Sequence, residues 1–241
     1  MPHSDHSNPE KTIKALMDIS RAITSDLFLE DLLKLIVLLT AKMVGAEICS
    51  LWLIDENEHP PIMRLKATQS IEPAYVKDRA LRLDEGVVGY VATTQKPLTI
   101  KNVLRSRRFK EKEMAAQLGL VSMVGIPLKL KDNKIVGVLN CFTSEPYDFS
   151  ETEINALTTV ANQAAVAILN TELMVKTRVI QEELESRKLI EKAKEVLMQS
   201  RNFKGDEAYR WIQKRSMDSR KSMRQVSEAI ILSEEIFQEK K

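Results

Sequence analysis

A block of basic residues near the end of the chain could bind an anionic partner through its charge. Twelve lysines and arginines but only five acidic residues stand between Ser186 and Arg224, which gives the block a net charge of +7. Clustered cations attract phosphates, because binding them releases the counterions that surround a polyanion. The block therefore predicts an anionic partner. Eight of its cations are candidate contacts: Arg187, Lys188, Lys192, Lys194, Arg215, Arg220, Lys221 and Arg224.

The rest of the chain is close to neutral. Residues 1–170 hold 20 basic and 21 acidic residues, and the 241 residues together carry +2. Hydrophobic residues make up 44% and charged residues 29%, which is ordinary globular usage and excludes a collagen or a disulfide scaffold. A basic run on a helix is more often a solvated face than a binding site, so charge alone leaves both interpretations open.

The residues of the common catalytic sets do not come together in this sequence. Of the three histidines, His3 and His6 lie in the amino-terminal segment and His59 lies beside two prolines in a loop. A Ser-His-Asp or Cys-His arrangement therefore cannot be built, and neither a glycine-rich phosphate loop nor metal-ligand spacing occurs. We expect no enzyme activity, no catalytic residue and no metal.

Nothing in the sequence suggests a membrane or an export route. The longest apolar candidate, residues 27–44, is interrupted by four charged residues, and the first twelve residues lack the apolar centre of a signal peptide. We expect residues 1–12 to be disordered and the protein to be cytoplasmic. In that compartment thiols stay reduced, so Cys49 and Cys141, which lie in apolar runs, are expected to be buried and free.

The hydrophobic periodicity changes along the chain from helix to strand and back to helix. Two helices open the chain, with apolar residues at helical spacing over 13–23 and 29–43. Strands are predicted at 48–54, 61–68, 98–100, 121–130 and 135–143. The turn Lys131–Lys134 contains Asp and Asn, which tolerate the left-handed conformation, and therefore joins the last two strands as a hairpin.

A single long helix follows the sheet. Ser150 and Glu153 form a capping box, and neither proline nor glycine occurs between Pro146 and Gly205, so one helix can run from Glu151 to Arg201. Heptad positions 166, 169, 173, 176, 180, 183, 187 and 190 are apolar at first and lose this character near 183. This favours a parallel coiled-coil dimer over 171–185; the alternative is a helix that caps the sheet and continues as a flexible tail.

The order of elements over 13–170 resembles a GAF domain. The segments that carry the resemblance are Val-Gly-Ile-Pro-Leu at 124–128, Ile-Val-Gly-Val-Leu-Asn at 135–140 and Phe-Ser-Glu-Thr-Glu at 149–153. The resemblance implies an α+β fold in which helices flank a six-stranded antiparallel sheet. It also implies a pocket for a small ligand, whose identity varies widely within the family.

Five residues are candidates for lining that pocket: Trp52, Tyr90, Phe109, Met123 and Cys141. The histidines are badly placed for haem, the cysteines are badly placed for a bilin, and the Asn-Lys-Phe-Asp-Glu motif of members that bind cyclic nucleotides is missing. We therefore name no cofactor and leave the small-molecule effector unidentified. The same five residues also fit a plain hydrophobic core.

Residues 186–241 resemble an ANTAR domain, the three-helix RNA-binding module of bacterial transcription antiterminators. The matching positions are Arg187, Ile190, Ala193, Lys194, Leu197, Met198, Glu207, Ala208, Tyr209, Met217, Ser222 and Val226. The apolar spacing independently predicts a small all-α bundle, with a second capping box at Ser222 and Gln225. Under this resemblance the eight cations are expected to contact RNA, and Tyr209 is expected to stack on an unpaired base.

Together these features predict a signal-responsive antiterminator. A GAF sensor (13–170) and a helical linker (171–185) would form a homodimer that presents two ANTAR modules (186–241) to paired stem-loops in a leader transcript. The alternative is a dimeric GAF interaction module whose basic helical tail binds acidic proteins, or nucleic acid without specificity.

Overall fold

The computed structural model describes residues 9–23, 28–70 and 79–238. The chain divides into two compact units, Met1–Thr171 and Glu172–Lys241. The described residues form seven helices, α1 (Pro9–Ile23), α2 (Leu29–Val44), α3 (Gly86–Thr94), α4 (Lys112–Gln117), α5 (Glu151–Arg201), α6 (Gly205–Ser219) and α7 (Met223–Gln238). They also form six strands, β1 (Ile48–Asp55), β2 (Ile62–Thr68), β3 (Ala80–Arg82), β4 (Leu98–Ile100), β5 (Ser122–Lys129) and β6 (Ile135–Thr143).

The first helix begins inside the segment predicted to be disordered. Residues 1–8 lie outside the described residues, but residues 9–12 belong to α1. Proline is favoured at the first helical position, because the N–H that it lacks would have no partner there. Glu10 in the same turn suits the positive end of the helix dipole.

The six strands form one antiparallel sheet in the order β3-β2-β1-β6-β5-β4. The hairpin between β5 and β6 turns as the sequence predicts: Asn133 has φ of 58°, and the Leu130 N–H donates to the Lys134 carbonyl at 2.9 Å. Strand β6 pairs with β1, and the two backbones are so close at Gly137 that a Cβ there would lie 2.1 Å from the Trp52 carbonyl oxygen. Strand β3 is not predicted from the sequence, because Ala80-Leu81-Arg82 lacks the apolar–polar–apolar alternation that Leu98-Thr99-Ile100 has in the equally short β4.

The sheet buries a separate hydrophobic core on each face, because side chains alternate along a strand. One core joins Leu51, Leu53 and Leu139 to α1, α2 and the first third of α5. The other joins Trp52 and Val138 to α3 and α4. Neighbouring residues of one strand therefore lie in different cores. Only the residues on one face of the sheet can line a pocket on that face.

Helix α5 has 51 residues, as the absence of proline and glycine predicts. Its capping box is formed: the Glu153 N–H donates to Ser150 Oγ at 3.3 Å, and the Ser150 N–H donates to Glu153 Oε2 at 2.8 Å. Its first turns pack in the amino-terminal unit, residues 172–185 are exposed throughout, and Ala193 and Leu197 are buried in the carboxyl-terminal unit. The same helix thus contributes to both units.

The end of α5 packs with α6 and α7 as a three-helix bundle. Its core is small: Ala193, Leu197, Ala208, Ile212, Val226 and Ile231. The second capping box is also formed, since the Gln225 N–H donates to Ser222 Oγ at 3.2 Å and the Ser222 N–H donates to Gln225 Oε1 at 3.1 Å. The predicted α+β sheet domain, long helix and all-α bundle are therefore confirmed.

Candidate nucleic-acid interface

All nine residues predicted to contact RNA lie on the carboxyl-terminal bundle. Seven are exposed, and Lys194 and Arg224 are half-buried. None is buried in the core, because the core is made by small and aliphatic side chains on the inner faces of the helices. All eight cations and the tyrosine are therefore at least partly accessible to a partner.

Three of the eight cations are already engaged by carboxylates of the bundle. Lys192 pairs with Glu235 at 3.3 Å and Lys194 pairs with Glu191 at 2.9 Å. Exposed pairs of this kind contribute little to stability, about 0–1 kcal/mol, so a phosphate can compete with them. They nevertheless lower the positive potential where they occur.

Arg224 is the most heavily engaged of these cations. Its guanidinium lies 3.0 Å from Glu228 and 3.5 Å from Glu185. The hydrogen bond to Glu228 is the main reason that the pKa of Arg224 is raised, and the charges of Glu228 and Glu185 add to it. Arg224 is therefore the predicted contact with the least charge left for an external anion.

Five predicted cations make no ion pair within the described residues: Arg187, Lys188, Arg215, Arg220 and Lys221. The predicted contact set leaves out four more cations of the same block that are also unpaired there: Arg201, Lys204, Arg210 and Lys214. These four cations contribute to the net charge of the block, so the net charge is the sequence signal that could identify them as contacts. The unpaired majority keeps the surface of the bundle cationic.

The two aromatic residues of α6 lie on different sides of the helix. Tyr209 and Trp211 are two residues apart, which separates them by about 200° around the axis. Tyr209 is exposed, whereas Trp211 is half-buried and packs on the bundle core. The Arg201 guanidinium lies 5.1 Å from the centre of the Trp211 ring, within the range of a cation–π interaction.

A small cavity lies in the amino-terminal unit, between the sheet and α3. Its volume is about 30 Å³, and Trp52, Phe109 and Met123 of the predicted pocket residues line it. A cavity of this size has room for roughly one water molecule, whereas small-molecule sites measure about 300–1,000 Å³. Bulky side chains therefore leave little room for a ligand in this cavity.

The other two predicted pocket residues lie away from this cavity. The Tyr90 ring is covered by the Arg108 guanidinium, 3.9 Å from the ring centre. Cys141 faces the opposite core, because it alternates with Asn140 and Phe142, which line the cavity. Its Sγ accepts a hydrogen bond from the Cys49 thiol at 3.1 Å, and both cysteines are free and buried.

Polar groups complete the wall of the cavity. Asn140 is 3% exposed, and its Oδ1 has no hydrogen-bond partner among the described residues. Glu111 forms an ion pair with Arg79, whose guanidinium lies 5.8 Å from the Trp52 ring. The hydrogen bond from Lys110 is the main reason that the pKa of Glu85 is lowered. The cavity therefore combines an apolar floor with a charged rim.

Two kinds of feature are absent from the part of the chain that the structure describes. No group of three or more His, Cys, Asp or Glu residues there could hold a metal ion. No described helix is both long and apolar enough to cross a membrane.

Each of the two units matches a known domain family. Residues 26–169 match the GAF domain family, and residues 178–231 match the ANTAR domain. The chain belongs to the GAF family and carries an ANTAR domain. Both are regulatory domains, and ANTAR domains bind RNA and act in transcription antitermination. The GAF–ANTAR chain therefore combines a sensor domain with an RNA-binding domain.

Individual relatives resemble only part of the GAF–ANTAR chain. It is 28% identical over 154 residues to the Nif-specific regulatory protein of Rhizobium etli, covering 61% of this chain and 26% of that protein. It is 24% identical over 158 residues to a Salmonella typhimurium protein described as phosphoenolpyruvate-dependent phosphotransferase system, covering 66% and 21%. The chain thus spans about a quarter or less of the length of these curated relatives.

Solved structures show the same sensor fold. The crystal structure of the GAF domain from an Acinetobacter phosphoenolpyruvate-protein phosphotransferase is 27% identical, with a TM-score of 0.59. The match between the two covers 68% of the GAF–ANTAR chain and 97% of the Acinetobacter chain.

Proposed function

We propose that the GAF–ANTAR chain is a cytoplasmic, dimeric antiterminator that binds two small stem-loops in a leader transcript. Occupied stem-loops hold the transcript in its antiterminated form, so that transcription continues. The observation that carries this proposal is the set of unpaired cations on the ANTAR bundle. Unpaired lysines and arginines are available to phosphates without first breaking a bond inside the protein.

The exposed middle of α5 supports pairing with a second copy of the chain. Six exposed positions spaced alternately by four and three residues line one side of the helix: Val166, Asn170, Leu173, Thr177, Ile180 and Leu184. We call this set the α5 seam. It differs from the heptad set of the sequence analysis at alternate positions, where it replaces Leu169, Lys176 and Glu183 with Asn170, Thr177 and Leu184.

The α5 seam has the alternating three- and four-residue apolar repeat of a coiled coil, with Asn170 at an a position. Leu173, Ile180 and Leu184 are each at least 51% exposed, which is costly for large apolar side chains unless a partner covers them. A single asparagine among apolar seam positions is a known means of fixing register and strand number. A second copy of α5 supplies an identical seam, so it fits this face without any further partner.

The signal enters through the GAF domain. Because the cavity beside Trp52 is nearly filled, an effector enters that cavity only in a conformation in which the aromatic side chains have moved. Its binding would shift the population toward that conformation by its differential affinity for the two states. Helix α5 packs in the GAF core and ends in the ANTAR bundle, so it is the element through which we expect the shift to pass.

A single titration tests both halves of the proposal. Fluorescence anisotropy would follow binding of the full chain to an RNA with two tandem hairpins, to one hairpin and to a scrambled RNA, each at two salt concentrations. We expect the tandem RNA to bind at least tenfold more tightly than one hairpin, because the second contact is intramolecular. Ile180→Asp should remove this advantage by placing a charge in the seam.

Val175→Asp is the matched control for the dimer. Val175 is also exposed, but it lies about 200° around α5 from Leu173 and so faces away from the seam. This variant should keep the tandem advantage. Lys188→Ala should weaken binding to all RNAs and lower the salt slope by about one. Equal affinity of the wild-type chain for tandem and scrambled RNA would contradict the antiterminator function and favour the nonspecific basic tail.

A further inference from the structure

The ANTAR bundle contains a groove that the sequence does not reveal. The groove has a volume of about 500 Å³ and lies between the end of α5, α6 and α7. Its floor is apolar, where Val226 and Ile230 belong to the bundle core or pack against it. This volume is within the range of sites that hold small molecules or single nucleotides.

Trp211 supplies an aromatic surface in this groove. It is half-buried, so part of the indole packs on the bundle core while the rest lines the groove. Arg201 lines the same groove and lies over the indole ring. An aromatic ring and a guanidinium plane are the two surfaces on which proteins stack unpaired bases.

The charges that line the groove are unevenly distributed. Three cations line it: Arg201 from α5, Arg215 from α6 and Lys221 from the turn between α6 and α7. None of the three makes an ion pair within the described residues. The cations that are neutralised, Lys192, Lys194 and Arg224, do not line the groove. On the α7 side the groove has one carboxylate, Glu234.

We propose that this groove receives one unpaired base of an RNA loop, stacked on Trp211 beside Arg201. The phosphates that flank the base contact Arg215 and Lys221, while Glu234 faces the edge of the base. A carboxylate repels phosphate but accepts hydrogen bonds from the exocyclic amino group of a base. This assignment rests on the proposed function and adds to it the residue that discriminates a loop from a duplex.

The assignment changes which aromatic residue recognises RNA. Tyr209 is the residue predicted from the sequence, but it does not line the groove. Trp211 lies on the other side of α6 and combines an aromatic face with nearby unpaired cations. We therefore expect Trp211 to provide base stacking, while Tyr209 contributes little to affinity.

A double-mutant cycle on protein and RNA tests the stacking contact. The full chain and Trp211→Ala would be titrated with the tandem-hairpin RNA and with RNAs in which one loop base at a time is replaced by an abasic site. Against intact RNA, Trp211→Ala should lose about tenfold or more in affinity. Against the RNA that lacks the stacked base, the same variant should bind as well as the wild type, because the two changes remove one contact.

Because Trp211 also packs on the core, a second variant keeps the test independent of folding. Ala229 is exposed and lines the groove, so Ala229→Leu fills the groove without entering the core. It should reproduce the loss of affinity with unchanged helicity. Tyr209→Ala is the matched control and should change the affinity less than threefold.

The outcomes separate the groove from the general function. If the wild-type chain does not prefer hairpin RNA to scrambled RNA, the antiterminator function fails, and the occupant of the groove fails with it. If hairpin RNA is preferred but Ala229→Leu and Trp211→Ala bind it normally, only the groove assignment is wrong. Equal losses on intact, abasic and double-stranded RNA would indicate backbone binding and would also overturn the assignment.

Discussion

The GAF cavity and the ANTAR groove differ in how completely side chains fill them. The GAF cavity is reduced to about 30 Å³ by Trp52, Phe109 and Phe142, whereas the ANTAR groove keeps about 500 Å³. The GAF core is assembled from a sheet and the loops and helices that cover it, so large side chains converge from several segments. The ANTAR bundle has only six buried core side chains, two of them alanines, so the space between its helices is filled less completely.

Ligand access costs more energy in the GAF cavity than in the ANTAR groove. An occupant of the GAF cavity must displace packed aromatic rings, and close-packed interiors resist such changes. An occupant of the ANTAR groove meets Trp211 and unpaired cations that are already in place, and it has to shift only the exposed Arg201 side chain from the indole ring. We therefore expect the GAF cavity to admit only a ligand that stabilises an opened state, and the ANTAR groove to bind without repacking of its core.

Removing the largest side chain of the GAF cavity should give the largest effect. Trp52 is 2% exposed, so Trp52→Ala would leave a large void that the sheet cannot close. We expect the free energy of unfolding to fall by about 3–5 kcal/mol. Urea denaturation followed by circular dichroism measures this.

The ANTAR groove supplies the control for that variant. Ser233→Ala changes a side chain that lines the open groove and is exposed, so the free energy of unfolding should change by less than about 0.5 kcal/mol. A small effect of Trp52→Ala would mean that the cavity already opens in the native ensemble, and the contrast between the two hollows would disappear.

A pair of glycine substitutions compares how tightly the GAF domain and the ANTAR bundle are packed, with an intermediate effect expected on the free energy of unfolding. At Gly125 a new Cβ would lie 3.0 Å from Asn140 Oδ1 and 3.1 Å from Val91 Cγ2, on the wall of the filled GAF core. Gly125→Ala should therefore lower the free energy of unfolding by about 1–3 kcal/mol, the usual cost of overpacking. Thermal denaturation would report the change.

Gly205→Ala is the matched change in the ANTAR bundle. Gly205 opens α6, and the nearest atom to a new Cβ there is Met198 Sδ at 4.0 Å. Alanine costs less entropy than glycine in a helix, so this variant should be neutral or more stable by up to about 1 kcal/mol. Equal destabilisation by the two variants would show that the bundle is packed as tightly as the sensor.

Local features of the fold follow from the sequence because their causes are local. The two capping boxes, the turn at Asn133 and the uninterrupted α5 each depend on residues a few positions apart. Strand β3 is missed because its three residues lack the apolar–polar–apolar order that makes the equally short β4 predictable. The GAF match likewise depends on short motifs that the sequence displays directly.

The details of both sites depend on residues that are distant in the chain. Lys192 is neutralised by Glu235, 43 residues away, and no periodicity predicts that pairing. The GAF cavity is filled by aromatic residues from β1, β6 and a loop, so its volume is a property of tertiary packing. Trp211 looks like core from its spacing, and only the packing of the three helices shows that part of it lines a groove.

The smallest expected effect concerns the rim of the ANTAR groove, where backbone strain and charge meet. Arg220 precedes the groove residue Lys221 and has φ of 54°, in the left-handed region. A residue with a Cβ pays roughly 1 kcal/mol for this conformation. Arg220→Gly should therefore raise the free energy of unfolding by up to about 1 kcal/mol, while removing one unpaired cation should weaken RNA binding by a few-fold.

Arg220→Ala separates the two contributions in urea denaturation and RNA titration. It removes the same charge but keeps the Cβ, so its affinity for RNA should match that of Arg220→Gly while its stability stays near the wild-type value. If the glycine variant gained no stability over the alanine variant, the left-handed backbone would carry no cost. If both Arg220 variants bound RNA with the affinity of the wild type, the RNA-binding surface would not include Arg220, and Lys221 would be its limit at the ANTAR groove.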